Sequence, residues 1–313
     1  KFADTNTFCK EYDVKLEDSV NAILVKTKTG ALKYAVCALL ATTRLDINKL
    51  IRKKLDAGEP TISTRFLSAD PDIAELIADT GLFDYGEYYA EGSAFSMPIL
   101  YHIARAAQCG NLPLMVKLDQ ESQGFWAQAA IGAGFQAINF TDIRSPEDVE
   151  TLHRTIRPDN PEKGGMMGVK PRRPMLAGYA TASDTKKYRE ALESVVVIIM
   201  IEKDIAVQNI DEILDSAKKR QIDMTQWGGA DFSFSRGTPE LLFSSELRPF
   251  EELVIRKSME YGIPPRIEIS TVESAQRYID MGVRHFSMGW DRLILQQGLT
   301  RLGEGIRKLV EDI

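Results

Sequence analysis

Cysteine and histidine are scarce in this 313-residue chain, with three of each. Cys9, Cys37 and Cys109 are odd in number and widely spaced, which excludes a disulfide framework and a cysteine-pair zinc pattern. A reducing, cytoplasmic setting is therefore expected. No apolar run approaches the ~20 residues that a membrane span needs, and the opening Lys1-Phe-Ala-Asp-Thr-Asn6 does not read as a signal peptide. A basic excess is missing too. With 39 Lys and Arg against 45 Asp and Glu, the net charge is −6. That argues against nucleic acid or an anionic membrane as partner, because phosphate binding needs a concentrated basic surface. The short clusters Arg52-Lys53-Lys54 and Lys170-Pro-Arg172-Arg173 read as solvated faces.

What the chain does have is apolar content, 44%, arranged in a repeating order. Short strand-like runs fall at 61–67, 85–91, 112–118, 137–141, 195–202, 224–228, 266–271 and 285–289, and helical patterns lie between most of them. Eight strands alternating with helices over about 250 residues predict an α/β fold, a (β/α)8 TIM barrel, in preference to an open doubly wound sheet. Helix punctuation agrees: Ser145-Pro146-Glu147-Asp148 supplies an N-cap, a first-turn proline and first-turn acids. The stretch 157–184 breaks the rhythm with Pro, Gly and basic residues, and is expected to be a lid or a subunit contact.

Residues 1–48 stand apart from the barrel at 49–313. They read as a short helix (6–12) and a β-hairpin extension, with strands at 22–28 and 33–40 around Thr29-Gly30. So small a piece buries too little to form a core of its own.

Candidate chemistry centres on two carboxylates. Glu202 closes Val195-Val-Val-Ile-Ile-Met-Ile-Glu202, and Asp231 follows Met224-Thr-Gln-Trp-Gly-Gly-Ala-Asp231, with a helix-length stretch between. In a parallel barrel the strand C-termini share one face, so two oxygen donors converge where a hard divalent cation, Mg2+ or Mn2+, binds well. Asp119 and Asp142 also end strands and are further candidates to line that face. Trp227 and Trp290 are placed to pack beside it or to narrow a pocket. Asp291 reads as a structural acid, capping the last helix. His102, His153 and His285 fall in helices or at the far end of a strand and read as structural or surface residues.

From Leu50 onward, Lys53-Lys-Leu-Asp-Ala-Gly-Glu-Pro-Thr61, Ile201-Glu202-Lys-Asp-Ile-Ala-Val-Gln-Asn209, Gly228-Gly-Ala-Asp231-Phe-Ser233 and Met288-Gly-Trp-Asp291 resemble the HpcH/HpaI aldolase family, the class II pyruvate aldolases related to the citrate lyase β subunit. The resemblance implies that Glu202 and Asp231 bind the metal, and that the metal chelates pyruvate or another 2-oxo acid. It implies a carbon-carbon lyase acting on a 4-hydroxy-2-oxo acid through a metal-stabilised enolate, with Gly229, Ala230 and Trp227 beside the substrate. It also implies a homo-oligomer, usually a hexamer, in which the apolar tail 293–310 is exchanged between subunits.

Three motifs depart from the family, and in the smallest change the Gln it usually carries two residues before the metal Glu is Met200 here. Where its second strand ends in Asp-Leu-Glu-His-Gly, this chain has Tyr89-Ala-Glu91-Gly92-Ser93, so Gly92 replaces the acid/base His and Tyr89 its Asp. Where the third strand carries a substrate-binding Arg, this chain has Lys117, which keeps the charge and loses the planar fork. Lys117 is then expected to hold the substrate's carboxylate or oxo group, and Glu91 to be the nearest proton-transfer group, with Tyr89 or a metal-bound water as alternatives. Three readings stay open: a retuned aldolase, a different reaction on a 2-oxo acid such as decarboxylation or condensation, and a barrel kept for binding or assembly. Separately, Val20–Lys26, Lys33-Tyr-Ala-Val-Cys-Ala-Leu-Leu40 and Ala41-Thr-Thr-Arg44 resemble the opening of the YbaK/prolyl-tRNA deacylase family, with Lys26 at its functional lysine. The rest of that fold is absent, so no deacylase activity is expected.

Overall fold

A computed structural model describes residues 20–26, 34–40, 50–120, 123–169, 185–242 and 244–311. The chain divides into two compact units, Lys1–Asp46 and Ile47–Ile313. In the first, β1 (Val20–Lys26) and β2 (Tyr34–Leu40) pair antiparallel from Val20 opposite Leu40 to Lys26 opposite Tyr34. The expected helix at 6–12 and the turn at Thr29-Gly30 lie outside the described residues, as does 170–184 of the irregular stretch.

In the second unit the eight expected strands close into one parallel barrel. They are β3 (Thr61–Phe66), β4 (Tyr85–Tyr89), β5 (Leu114–Leu118), β6 (Ala137–Phe140), β7 (Val196–Ile201), β8 (Met224–Trp227), β9 (Pro265–Ile269) and β10 (His285–Trp290), with β10 returning to pair with β3. Strands covered by helices outside and packed side chains inside need apolar residues on both faces, which is why Val196–Ile201 is buried at every position.

The helices fill the outer layer. α1 (Leu50–Asp56) precedes β3; α2 (Pro71–Thr80), α3 (Met97–Cys109), α4 (Gln123–Ala133) and α5 (Pro146–Ile156) follow β3 to β6. α6 (Thr185–Glu193) precedes β7, α7 (Asp204–Gln208) and α8 (Ile210–Lys219) follow it, and α9 (Gly229–Ser235) and α10 (Arg248–Glu260) follow β8. α11 (Ala275–Asp280) and α12 (Asp291–Val310) complete the set. Ser145 and Asp148 form the capping box at the start of α5 that the sequence suggests, with Pro146 in its first turn.

Inside, the barrel is apolar at one end and polar at the other. At the N-terminal end Ile51 of α1 packs with Tyr85, Met115, Ala137, Ile198 and Met224 and closes the opening. Arg52 fixes that plug through a two-pronged pair with Asp223, at 2.5 and 2.7 Å. One layer further up, Arg266 and Glu87 form a fully buried ion pair at 2.5 Å, joined by Ser63, Asn139 and Gln226. Burial alone would raise the Glu87 carboxyl, yet Arg266 and Arg65 outweigh it and hold it low.

His285 is buried at the N-terminal end of β10, with Nδ1 3.0 Å from Thr61 Oγ1. Burial, with the nearby Arg266 and Arg284, pushes its pKa down to about 4. The unfolded chain takes up a proton near the ordinary value of 6.5 and the folded one does not. The stability that this site provides is therefore complete above 6.5 and lost as pH falls toward about 4. His285→Gln should flatten the fall in urea midpoint across that window; an unchanged slope would show that His285 contributes nothing to it.

Candidate active site at the strand C-termini

Glu202 follows β7 directly, and its side chain is almost completely buried. Its Oε1 accepts from the amide of Asp142 at 2.8 Å, an amide presented by the left-handed backbone of Asp142 (φ 60°). Gly228 makes the place possible: a Cβ there would stand 2.4 Å from Glu202 Oε2 and 2.6 Å from its Cβ. Asp231 does not close a strand, which corrects the sequence reading. β8 stops at Trp227, and Asp231 sits in the first turn of α9, where a carboxylate is favoured beside free amides.

Sequence reasoning missed Lys203. Its Nζ lies 2.5 Å from Asp142 Oδ1 and 3.1 Å from Asp231 Oδ1, so it ties the carboxylate of Asp231 to the loop after β6. A lysine next to the strand-ending Glu202 in the chain was the available signal.

Glu202, Asp231, Lys117, Trp227, Gly229 and Ala230 all line one cavity of about 720 Å³ at this end of the barrel. Glu91 is not part of that lining. It sits on the turn Ala90–Gly92, and its Oε2 pairs with Lys117 Nζ at 2.8 Å, so the residue expected to transfer protons stands behind Lys117 as its counter-ion. Burial works against the charge on Lys117, but Glu202 and Glu91 outweigh it and raise its pKa; this lysine stays a cation. Asp142 positions Glu202 and Lys203 without lining the cavity. Asp291 opens α12, where its Oδ1 accepts from the first-turn amide of Arg292 at 2.8 Å, while Oδ2 accepts from the amides of Leu67 and Ser68, pinning the end of β3.

The two family departures near β4 are linked in space. A Cβ added to Gly92 would fall 2.8 Å from Tyr89 Cε1, so the tyrosine ring occupies the room a larger residue 92 would need. Gly92→Ala should cost about 1–3 kcal/mol, and most of that loss should vanish in a Tyr89→Ala background. Equal losses in both backgrounds, in urea melts arranged as a double-mutant cycle, would mean the two positions are independent.

Tyr89 lines the cavity between two cations, with Lys117 Nζ 4.6 Å and Arg65 Cζ 5.0 Å from its ring centre. Burial raises its phenol, opposed by Lys117. Four basic side chains, Arg65, Lys117, Arg248 and Arg277, line the cavity against four carboxylates, Glu202, Asp231, Glu251 and Glu268.

Such donors fit a divalent cation. Burial is the first cause acting on Glu202, and despite Lys117 and the Asp142 amide it pushes the carboxyl up to about 7. The group is short of positive charge, and a metal would supply it. Among the described residues no three His, Cys, Asp or Glu side chains gather as a ligand cluster. Glu202 and Asp231 are the two carboxylates at this end of the cavity that would hold a metal, and Lys203 is held by Asp142 as well as by Asp231.

A closed parallel barrel with a charged cavity at its strand C-termini is the architecture of (β/α)8 barrel enzymes. Residues 96–295 match the profile of the HpcH/HpaI aldolase/citrate lyase family, and the chain belongs to that family. The fold is similar to that of an HpcH/HpaI aldolase from Desulfitobacterium hafniense DCB-2 (20% identity, TM-score 0.72, 83% of this chain and 96% of that one). It is similar too to an HpcH/HpaI aldolase/citrate lyase family protein from Burkholderia cenocepacia J2315 (20%, 0.74, 83% and 99%). The citrate synthase SbnG shares it as well (22%, 0.71, 84% and 99%). No curated protein matches the chain. Among the described residues no helix is long and apolar enough to cross a membrane.

Proposed function

We propose that the barrel is a divalent-metal-dependent aldolase that makes or cleaves a carbon–carbon bond next to a 2-oxo acid, with Glu202 and Asp231 holding Mg2+ or Mn2+. The observation that carries this is the buried Glu202 carboxylate opening onto the same cavity as Asp231. The cation, when bound, supplies positive charge where the keto oxygen of the substrate turns negative.

Around it the chain's own residues divide the work. Lys117, kept charged by Glu91 and Glu202, holds the substrate's carboxylate at Nζ. Gly229 and Ala230, in the first turn of α9, border the same end of the cavity with no long side chain to obstruct the ligand. Tyr89 takes the proton-transfer place that Glu91 does not reach. Its phenol, held protonated by burial, donates from Oη to the aldehyde oxygen as the bond forms and is reprotonated from solvent before the next turnover.

Assembly follows from α12. Leu295, Leu299, Leu302, Ile306 and Leu309 recur at alternating spacings of four and three and are all exposed. Such a stripe suits burial against another copy in a homo-oligomer, with a hexamer as the expected form.

The test is pyruvate-dependent bond formation with a panel of aldehydes, with and without Mn2+. Product that appears only with the metal is the expected result. A protein that neither binds Mn2+ nor consumes any 2-oxo acid would instead be a barrel kept for binding or assembly.

A further inference from the structure

The family's substrate-binding arginine on the third barrel strand is Lys117 here, yet a guanidinium reaches the same cavity from a different strand. Arg65 stands near the C-terminal end of β3, the first strand of the barrel, and lines the cavity. It is held from three sides. Nη1 donates to Glu268 Oε1 at 2.8 Å, and the guanidinium lies 5.0 Å from the ring centre of Tyr89 and 5.6 Å from that of Trp290. Glu268 is fixed in turn by Gln226 Nε2 at 2.8 Å, which joins Arg65 to the buried Arg266–Glu87 layer. A long side chain clamped in this way has given up its rotamer freedom before any ligand arrives, which favours binding.

Two polar atoms beside it lack partners among the described residues. One is Nε of Arg65 itself, and the other is Oγ of Ser287. Ser287 comes from β10, the strand that pairs with β3; it is 2% exposed and lines the same cavity. Buried donors without acceptors are rare and call for an explanation such as a ligand that supplies the acceptor. A planar guanidinium and a hydroxyl that line one cavity from paired strands suit a carboxylate, which accepts from both.

Charge agrees with this. The acidic and basic side chains lining the cavity balance in number. A bound divalent cation tips that balance by two positive charges, which matches two carboxylates better than one.

We propose that Arg65 and Ser287 form a second carboxylate subsite, across Tyr89 from Lys117, which receives an acid group on the part of the substrate remote from the 2-oxo acid. The subsite rests on the reading of the cavity as a metal-dependent 2-oxo acid site. Its ligands are therefore 2-oxo acids or adducts with a distal carboxylate, and Glu268 is a positioning residue for Arg65.

Calorimetric titration of the Mn2+-loaded protein tests the subsite without relying on turnover. The probes are pyruvate, 2-oxopentanoate, oxaloacetate and 2-oxoglutarate, the second and fourth matched in length and differing by the terminal carboxylate. One of the two diacids should bind the wild-type protein about tenfold or more tightly than its monoacid counterpart, the scale of one charge-assisted hydrogen-bonded pair. In Arg65→Ala that preference should disappear while pyruvate affinity stays within about twofold, and Arg65→Lys should retain part of it. Ser287→Ala, a small change that removes only the hydroxyl, should lower the preference several-fold. If pyruvate binds and neither diacid is preferred, or if Arg65→Ala weakens pyruvate and diacids alike, the subsite is wrong and the metal site stands. If no 2-oxo acid binds in the presence of Mn2+, both fall together.

Discussion

Glu202→Gln is expected to abolish Mn2+ binding and to lower pyruvate-dependent bond formation by about a thousandfold or more, the scale of losing a preorganised charge at a developing oxyanion. Glutamine has the same shape and still offers an oxygen to the Asp142 amide, so the close approach of Gly228 is undisturbed. What disappears is the negative charge. Lys117 retains Glu91 as counter-ion, so its position should hold. The variant should therefore melt no earlier than the wild type without metal, because a costly buried carboxylate has been removed. Mn2+ should raise the melting temperature of the wild type and leave that of the variant unchanged. Wild-type affinity for Mn2+ in Glu202→Gln would remove Glu202 from the ligand set.

The largest effect on stability should come from Arg266. Neither it nor Glu87 exposes any side-chain surface, so Arg266→Met leaves a carboxylate in the middle of the barrel without its paired cation, with only the more distant Arg65 to offset it. Loss of one partner of a buried pair costs about 3–5 kcal/mol, which for a domain of this size lowers the melting temperature by roughly 10 °C. Gln226 and Ser63 lose a shared partner as well. The double variant Arg266→Met/Glu87→Leu should regain most of the loss, because the cost lies in the orphaned charge and not in missing attraction. If the single variant melts like the wild type, the pair contributes nothing. If the double variant is worse than the single, the surrounding hydrogen bonds matter more than the charge.

The barrel was legible because its signal is repetitive. Short buried runs such as Val196–Ile201 alternate with amphipathic helices such as α8, so repeated copies of one pattern report the same architecture. Glu202 was legible for a related reason: an acid that ends a fully buried run has few places to be except the strand C-terminus. Asp231 was found with its element misjudged, because the strand reads on through Gly228 toward Asp231 although a helix, α9, starts at Gly229.

The cationic side of the site was not legible. Arg65 lies one residue inside a strand whose other positions look like core, and a charge in that place reads as an error in strand assignment until Glu268, far along the chain, is seen to meet it. Glu91 misled for the opposite reason. It is the one residue of the family's Asp-Leu-Glu-His-Gly run that this chain keeps, yet its carboxylate is taken by Lys117, a pairing across strands that spacing in the chain does not encode. The exchange of Asp and His for Tyr89 and Gly92 shows as two losses in sequence; in space it is one ring filling one gap.

The plug at the barrel's closed end sets where the chain can be cut. Ile51 is sealed among Tyr85, Met115 and Met224, while the seam between the two units falls just ahead of it, between Asp46 and Ile47. A gene that begins at Ile47 therefore encodes a stoppered barrel, whereas one that begins at Glu59 encodes the same eight strands with the bottom open to water.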